Sequence, residues 1–259
     1  MLYCFYEISD LHLERVHDIF PIIYQLTSKL NTSNYNTLLL CGDICSVLHR
    51  DTGTVHNNFK KFLSIIKKHY NCVIYISGNH EYDNALKYNK RIEEIDDIIK
   101  KYCDSINVVF LQRSKYTHKS GLVFIGCTLW SNFDEYTAKR TSGYKNFFMD
   151  YKAIITIHQN DIDFLSKTIE PNCIVMTHYL PSFNAIHSTY SPRKHKYGHL
   201  ASNLEYLLTP NINCWFFGHT HEFVHSQING CRIFCNPLGY PKENKQTYHT
   251  TDCIFNYSI

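Results

Sequence analysis

Short apolar runs of strand length alternate with longer stretches of helical period along most of the chain. Residues 3–9 and 37–41 are two such runs, and each predicts a strand. Between 55 and 70, Val55, Phe59, Phe62, Ile65 and Ile66 recur at three- and four-residue intervals, one face of a helix. A strand follows at 72–77. The stretch 85–102 is helical again, with Ile92, Ile95, Ile98 and Ile99 on one stripe and charges elsewhere. Strands are predicted at 108–111 and 122–127, a helix at 156–169, and strands at 173–177, 214–217, 223–227 and 231–235. Asn229-Gly230 joins the last two, a hairpin turn signal. The first half therefore reads β-α-β-α-β and the end reads as a strand meander. That mixture predicts one α/β domain with mixed sheets, spanning residues 1–259. Residues 131–150 and 182–200 are polar and irregular, and are predicted to be mostly loop.

Composition narrows this picture in three ways. The 259 residues are 44% hydrophobic and 19% charged, the balance of a chain that buries a core. The formal net charge is only +3, so a nucleic-acid partner is possible but not indicated. No apolar stretch approaches the ~18 residues of a membrane span. The opening MLYCFYEISDLHLE turns acidic by Glu7 with no basic segment before an apolar run, so no signal peptide is expected. Cysteine number is odd, at eleven, and there is no C-x-x-C. Cys4, Cys41, Cys72, Cys127, Cys173 and Cys214 sit in strand-like runs, where they act as small buried hydrophobes. The expectation is free thiols in a reducing, cytoplasmic setting, with a Cys-ligated zinc site as the alternative.

Five short patterns carry candidate chemistry: Asp10-Leu11-His12, Gly42-Asp43, Gly78-Asn79-His80-Glu81, Thr177-His178 and Gly218-His219-Thr220-His221. Any one of them arises by chance about once in a chain with 16 histidines, and alone reads as a polar residue at a strand end. Their positions change that reading, because each follows a predicted strand. In α/β sheets, ligands bind outside the carboxyl ends of the strands. Glycine before three of the five lets the backbone turn sharply and approach closely. Carboxylate, imidazole and amide oxygen suit two divalent ions such as Mn, Fe, Zn or Ni rather than a thiolate site. Two such ions about 3.5–4 Å apart clamp the attacking and leaving oxygens of a displacement at phosphorus. One carboxylate must bridge them, and Asp43 is the choice.

As an ordered set, these blocks resemble the calcineurin-like metallophosphoesterase superfamily. Residues 9–14, Ser-Asp-Leu-His-Leu-Glu, and 79–82, Asn-His-Glu-Tyr, resemble its small single-domain bacterial-type members, as do 125–130, 177–181 and 236–240. The resemblance implies a four-layer fold, two mixed β-sheets packed as a sandwich and flanked by helices. It implies one metal held by Asp10, His12, Asp43 and His221, and a second held by Asp43, Asn79, His178 and His219. It further implies a bridging hydroxide as nucleophile and His80 as the general acid, a role imidazole fills near neutral pH. Protein phosphatases of the superfamily continue the second block as Gly-Asp-x-Val-Asp-Arg-Gly. Here Ser46 stands where the Asp that orients the histidine would be, and Val47 stands for the Arg that grips phosphate. That departure counts against a protein phosphatase of that type and leaves His80 without a named orienting partner.

The expected activity is hydrolysis of a phosphate mono- or diester, with a small soluble or nucleotide substrate favoured. The alternatives are a nucleotide phosphodiesterase or nuclease, and a catalytically silent scaffold, against which the retention of all seven ligands counts. Arg193-Lys194-His195-Lys196 reads either as a phosphate-gripping loop or as a solvated basic one. Tyr82 and Trp130 are candidate pocket or core residues, and Glu81 a candidate to fix its turn.

Overall fold

The computed structural model describes residues 1–131, 151–186, 198–243 and 254–258. Two sheets form its centre. In the first, β1 (Leu2–Ile8), β2 (Tyr35–Cys41), β3 (Cys72–Ile76) and β4 (Val109–Phe110) run parallel, and β11 (Phe255–Ser258) lies antiparallel beside β1. In the second, β6 (Val123–Cys127), β7 (Ile174–Thr177), β8 (Cys214–Phe216) and β10 (Cys231–Cys235) run parallel. Its antiparallel edges are β5 (Ser114–Thr117) and β9 (Val224–Ile228).

Parallel strands covered on both faces read as continuous apolar runs, which is why the sequence shows so little alternation in them. One side of each strand enters the core between the sheets: Phe5, Leu39, Ile74 and Ile76 meet Phe124, Met176 and Phe216 there. The other side faces helices. Leu38, Leu40 and Tyr75 share a second core with Phe59, Phe62, Leu63 and Ile66 of α2 (Asn57–His69) and Ile95, Ile99 and Cys103 of α3 (Ile92–Ser105). The helix α4 (Tyr151–Thr168) packs on β6, and α1 (Phe20–Thr27) packs on α2. The layers are helix, sheet, sheet, helix, as the resemblance implies.

Several expectations are corrected. The chain end is no meander, because β10 lies between β8 and β9 and runs parallel to β8. The chain leaves β8, crosses back along β9 and returns, so the carboxyl end of β10 falls beside that of β1. There Ser9 N–H donates to Asn236 O and Leu238 N–H to Ser9 O. The helix predicted over 85–102 is split. A single 3-10 turn, Leu86–Tyr88, ends at Asn89, whose φ of 50° is left-handed, and α3 starts afresh. Glu94 caps that new start by accepting the Arg91 N–H. Three elements lack a sequence signal: α1 is short, β5 is a half-exposed polar edge, and β11 pairs on one side only. Residues 132–150 and 187–197 of the two predicted loops, Arg193–Lys196 among them, lie outside the described residues, and Phe183–Ala185 forms a 3-10 turn. Ten cysteines are buried and unpaired among the described residues. No helix among them is long and apolar enough to cross a membrane.

Candidate metal centre

The carboxyl ends of five parallel strands deliver the predicted residues to one place. Asp10 and His12 follow β1, Asp43 follows β2, and Asn79 and His80 follow β3. His178 follows β7, and His219 and His221 follow β8. Five of the seven hold left-handed backbone: Asp10 (φ 56°), His12 (φ 47°), Asp43 (φ 54°), His219 (φ 67°) and His221 (φ 50°). Each such residue costs about 1–2 kcal/mol, and strain of this kind persists only where the surroundings over-determine it. Here they do. Asp10 N–H donates to Gly42 O and His12 N–H to Asp43 O, both at 3.0 Å. The Glu81 carboxylate accepts from Asp43 N–H (2.9 Å), Ile44 N–H (2.7 Å), Gly78 N–H (2.8 Å) and the Tyr75 hydroxyl (2.8 Å). Glu81 therefore fixes two ligand turns against each other. A Cβ at Gly78 would overlap Asp43 Oδ1 and His178 Cε1, so glycine there is what lets those two side chains meet.

The donors form two groups. In the first, His221 Nε2 lies 3.4 Å from Asp10 Oδ1 and 3.0 Å from His12 Nε2. In the second, His178 Nε2 lies 3.3 Å from Asp43 Oδ2, 3.1 Å from Asn79 Oδ1 and 3.2 Å from His219 Nδ1. Asp43 Oδ2 is also 4.0 Å from His12 Nε2, so this oxygen stands between the groups. Its partner Oδ1 is held by the His80 N–H at 2.7 Å.

The imidazoles are oriented from behind. His178 Nδ1–H donates to Cys41 O at 2.9 Å, and His221 Nδ1–H donates to Glu243 Oε2 at 2.8 Å. Each bond turns the ring so that Nε2 faces inward, the arrangement that raises ligand basicity once its proton gives way to an ion. His12 Nδ1 lies 3.5 Å from Glu14 Oε1. Buried imidazole nitrogens that converge in this way need a proton or a cation between them. Burial would depress the His178 imidazole, but the Asp43 carboxylate outweighs it and holds it up at about 9. Burial would likewise raise Asp10, and its hydrogen bond to His221 holds it down at about 2. Burial and the neighbouring His178 keep His219 well below the usual imidazole range, so it stays neutral. Two carboxylates, four imidazoles and an amide oxygen fit a pair of borderline-to-hard divalent ions. Cysteine is absent from every candidate metal group among the described residues, which removes the thiolate alternative there.

His80 lies at the edge of this centre, with Nε2 3.9 Å from Asp43 Oδ2 and 3.2 Å from the Tyr240 hydroxyl. Its Nδ1–H donates to Asp83 Oδ2 at 2.9 Å. Burial alone would lower this imidazole, but Asp43 and the Asp83 hydrogen bond hold it up at about 10. Asp83 thus supplies the orienting carboxylate that Ser46 cannot, and its position three residues after His80 was the available signal. Ser46 instead donates to Leu48 O, and Val47 is buried. Glu14, Tyr240 and Glu243 also reach the centre, the first two from the blocks at 9–14 and 236–240. The Tyr240 ring lies 4.3 Å from His12 and 4.6 Å from His221, with the Arg15 guanidinium 4.5 Å above it. Tyr82 and Trp130 are core residues, packed against each other and fully buried. The centre opens into a recess of about 350 Å³.

Residues 5–223 match the calcineurin-like phosphoesterase family. The chain is 29% identical over 263 residues to the uncharacterized protein L509 of Acanthamoeba polyphaga mimivirus, covering 91% of each. Its fold is similar to that of the phosphopantetheinyl hydrolase from Mycobacterium tuberculosis, with a TM-score of 0.69. That likeness spans 96% of this chain and 94% of the other at 15% identity, and so speaks to fold alone. With the family match covering most of its length and the five motif blocks gathered at one end of a two-sheet sandwich, the chain belongs to the calcineurin-like phosphoesterase family.

Proposed function

We propose that the chain is a metal-dependent phosphoesterase that hydrolyses phosphate mono- or diesters at a dinuclear centre. The observation that carries this is Asp43 Oδ2, set 3.3 Å from His178 Nε2 of one donor group and 4.0 Å from His12 Nε2 of the other. Asp10, His12, Asp43 and His221 would hold one ion, and Asp43, Asn79, His178 and His219 the other. Ions bound there would supply Lewis acidity and a nucleophile at neutral pH. The chain's own contribution is proton delivery. His80 presents Nε2 towards the centre, Asp83 holds the ring, and a protonated imidazole so placed gives its proton to a departing ester oxygen. The retention of all seven donors supports an enzyme over a silent scaffold.

The test is reconstitution of metal-free protein with Mn, Fe, Zn or Ni, followed by assay of a monoester, a diester and several nucleotides. The expected result is hydrolysis that depends on added metal and falls at least ~100-fold in Asp43→Asn, as for loss of a metal-held nucleophile. Full metal occupancy with every ester left intact would refute the activity.

A further inference from the structure

The recess at the metal centre continues into a larger cleft of about 990 Å³. The two share Asn79, His80, His199, Leu200, His219 and Tyr240 in their walls, so a ligand bound at the metals has a continuous path outward. That cleft is also lined by Arg15, Arg50 and Lys87, all exposed, with Arg15 over Tyr240 on the side of the metal centre. Three acids also line it, and two of them are engaged: Glu14 accepts the Ser46 N–H and pairs with Arg15, and Asp83 holds His80. Asp51 is the third. The Arg50 guanidinium makes no ion pair with any of the described residues.

A basic face is commonly no more than a solvated surface. Two features set this wall apart. First, it is built. Leu48 and Val55 form an antiparallel bridge, and His49 N–H donates to Thr54 O at 2.8 Å. The Arg50 carbonyl is gripped from the next turn by Lys87 Nζ at 2.6 Å and the Tyr88 hydroxyl at 2.8 Å. The hairpin that bears Arg50 is thereby clasped to the turn that bears Lys87. Second, it faces a concave space connected to the proposed reaction centre, and two of the three acids there, Glu14 and Asp83, are already taken up by Arg15 and His80.

We propose that this cleft is a second anion subsite, and that the substrate is a phosphate ester carrying a further phosphate on the side away from the scissile bond. The inference rests on the phosphoesterase reading for its first phosphate, and on Arg50, Lys87 and Arg15 for its second. Arg50 provides a planar fork suited to phosphate, and Lys87 a point charge beside it.

The probes are alkane-α,ω-bisphosphonates of graded chain length, each compared with the alkylphosphonate of the same length. Their binding to the Mn-loaded full chain is measured by titration calorimetry. At one spacer length the bisphosphonate should bind about ten-fold or more tightly, the scale of one charge-assisted hydrogen bond. Arg50→Gln should bring that ratio towards one, as should Arg15→Gln, and added salt should reduce it. Arg50→Gln is the leading variant because its side chain takes no part in clasping the hairpin. A ratio near one at every length in the wild type, or a ratio that survives both substitutions, would overturn the proposal. Phosphonates are not cleaved, so a ten-fold ratio alongside intact esters would refute the activity and not the subsite.

Discussion

At the scale of single residues, the centre is a set of side chains whose protonation states are decided by one another. Asp43 is held well below the usual carboxylate range, because His178 and His80 outweigh the cost of its burial. Conversely, His178 sits at about 9 and His80 at about 10, both above the ordinary 6.5. Raised imidazoles stabilise the fold fully below about 6.5, and that contribution is lost as pH rises through their folded values. The melting temperature of metal-free protein should therefore fall between pH 7 and about 10. Over the same range metal affinity should rise, because an ion at His178 must displace its proton. A melting temperature that climbs with pH in the metal-free protein would contradict this assignment. Leaving-group dependence checks His80 separately. His80→Ala should cost about 10²- to 10⁴-fold on an alkyl phosphate and much less on a 4-nitrophenyl ester, since only poor leaving groups need an acid. Asp83→Ala should show the same dependence at smaller size, as befits a positioning residue. Equal losses on both esters would remove His80 from the acid role.

At the scale of elements, the strand ends do the positioning, and they were legible for a physical reason. Strands buried on both faces are written as unbroken apolar runs, and each motif block begins where such a run stops. What periodicity does not encode is which strand pairs with which. The place of β10 between β8 and β9 was accordingly missed, although the hairpin at Asn229-Gly230 was not. The short edges β5 and β11 bury too little to leave a pattern. Glu243 approaches the site from the far end of the chain with no motif to announce it, and Tyr240 is marked only by the likeness of 236–240. The helices hold the sheets in place from outside. Phe62 of α2 is fully buried in the outer core, and Phe62→Ala should lower unfolding free energy by about 3–5 kcal/mol in urea titrations. A loss under about 1 kcal/mol would mean that α2 is not packed on the sheet as described.

At the scale of the whole molecule, the centre straddles two sheets. Asp10, His12, Asp43 and Asn79 come from strands of the first, and His178, His219 and His221 from strands of the second. Close cross-sheet meetings join them: Asp43 Oδ2 with His178 Nε2 at 3.3 Å, Asn79 Oδ1 with His178 Nε2 at 3.1 Å, and His12 Nε2 with His221 Nε2 at 3.0 Å. The sandwich thus converges its two halves on one cluster of lone pairs. This arrangement accounts for why five blocks, spread from residue 10 to residue 221, carry one complementary set of donors. Anomalous diffraction from a crystal of the Mn-loaded protein tests that account most directly. Two manganese peaks about 3.5–4 Å apart, one on each side of the Asp43 carboxylate, are predicted. A single peak, or peaks away from Asp43, would contradict it.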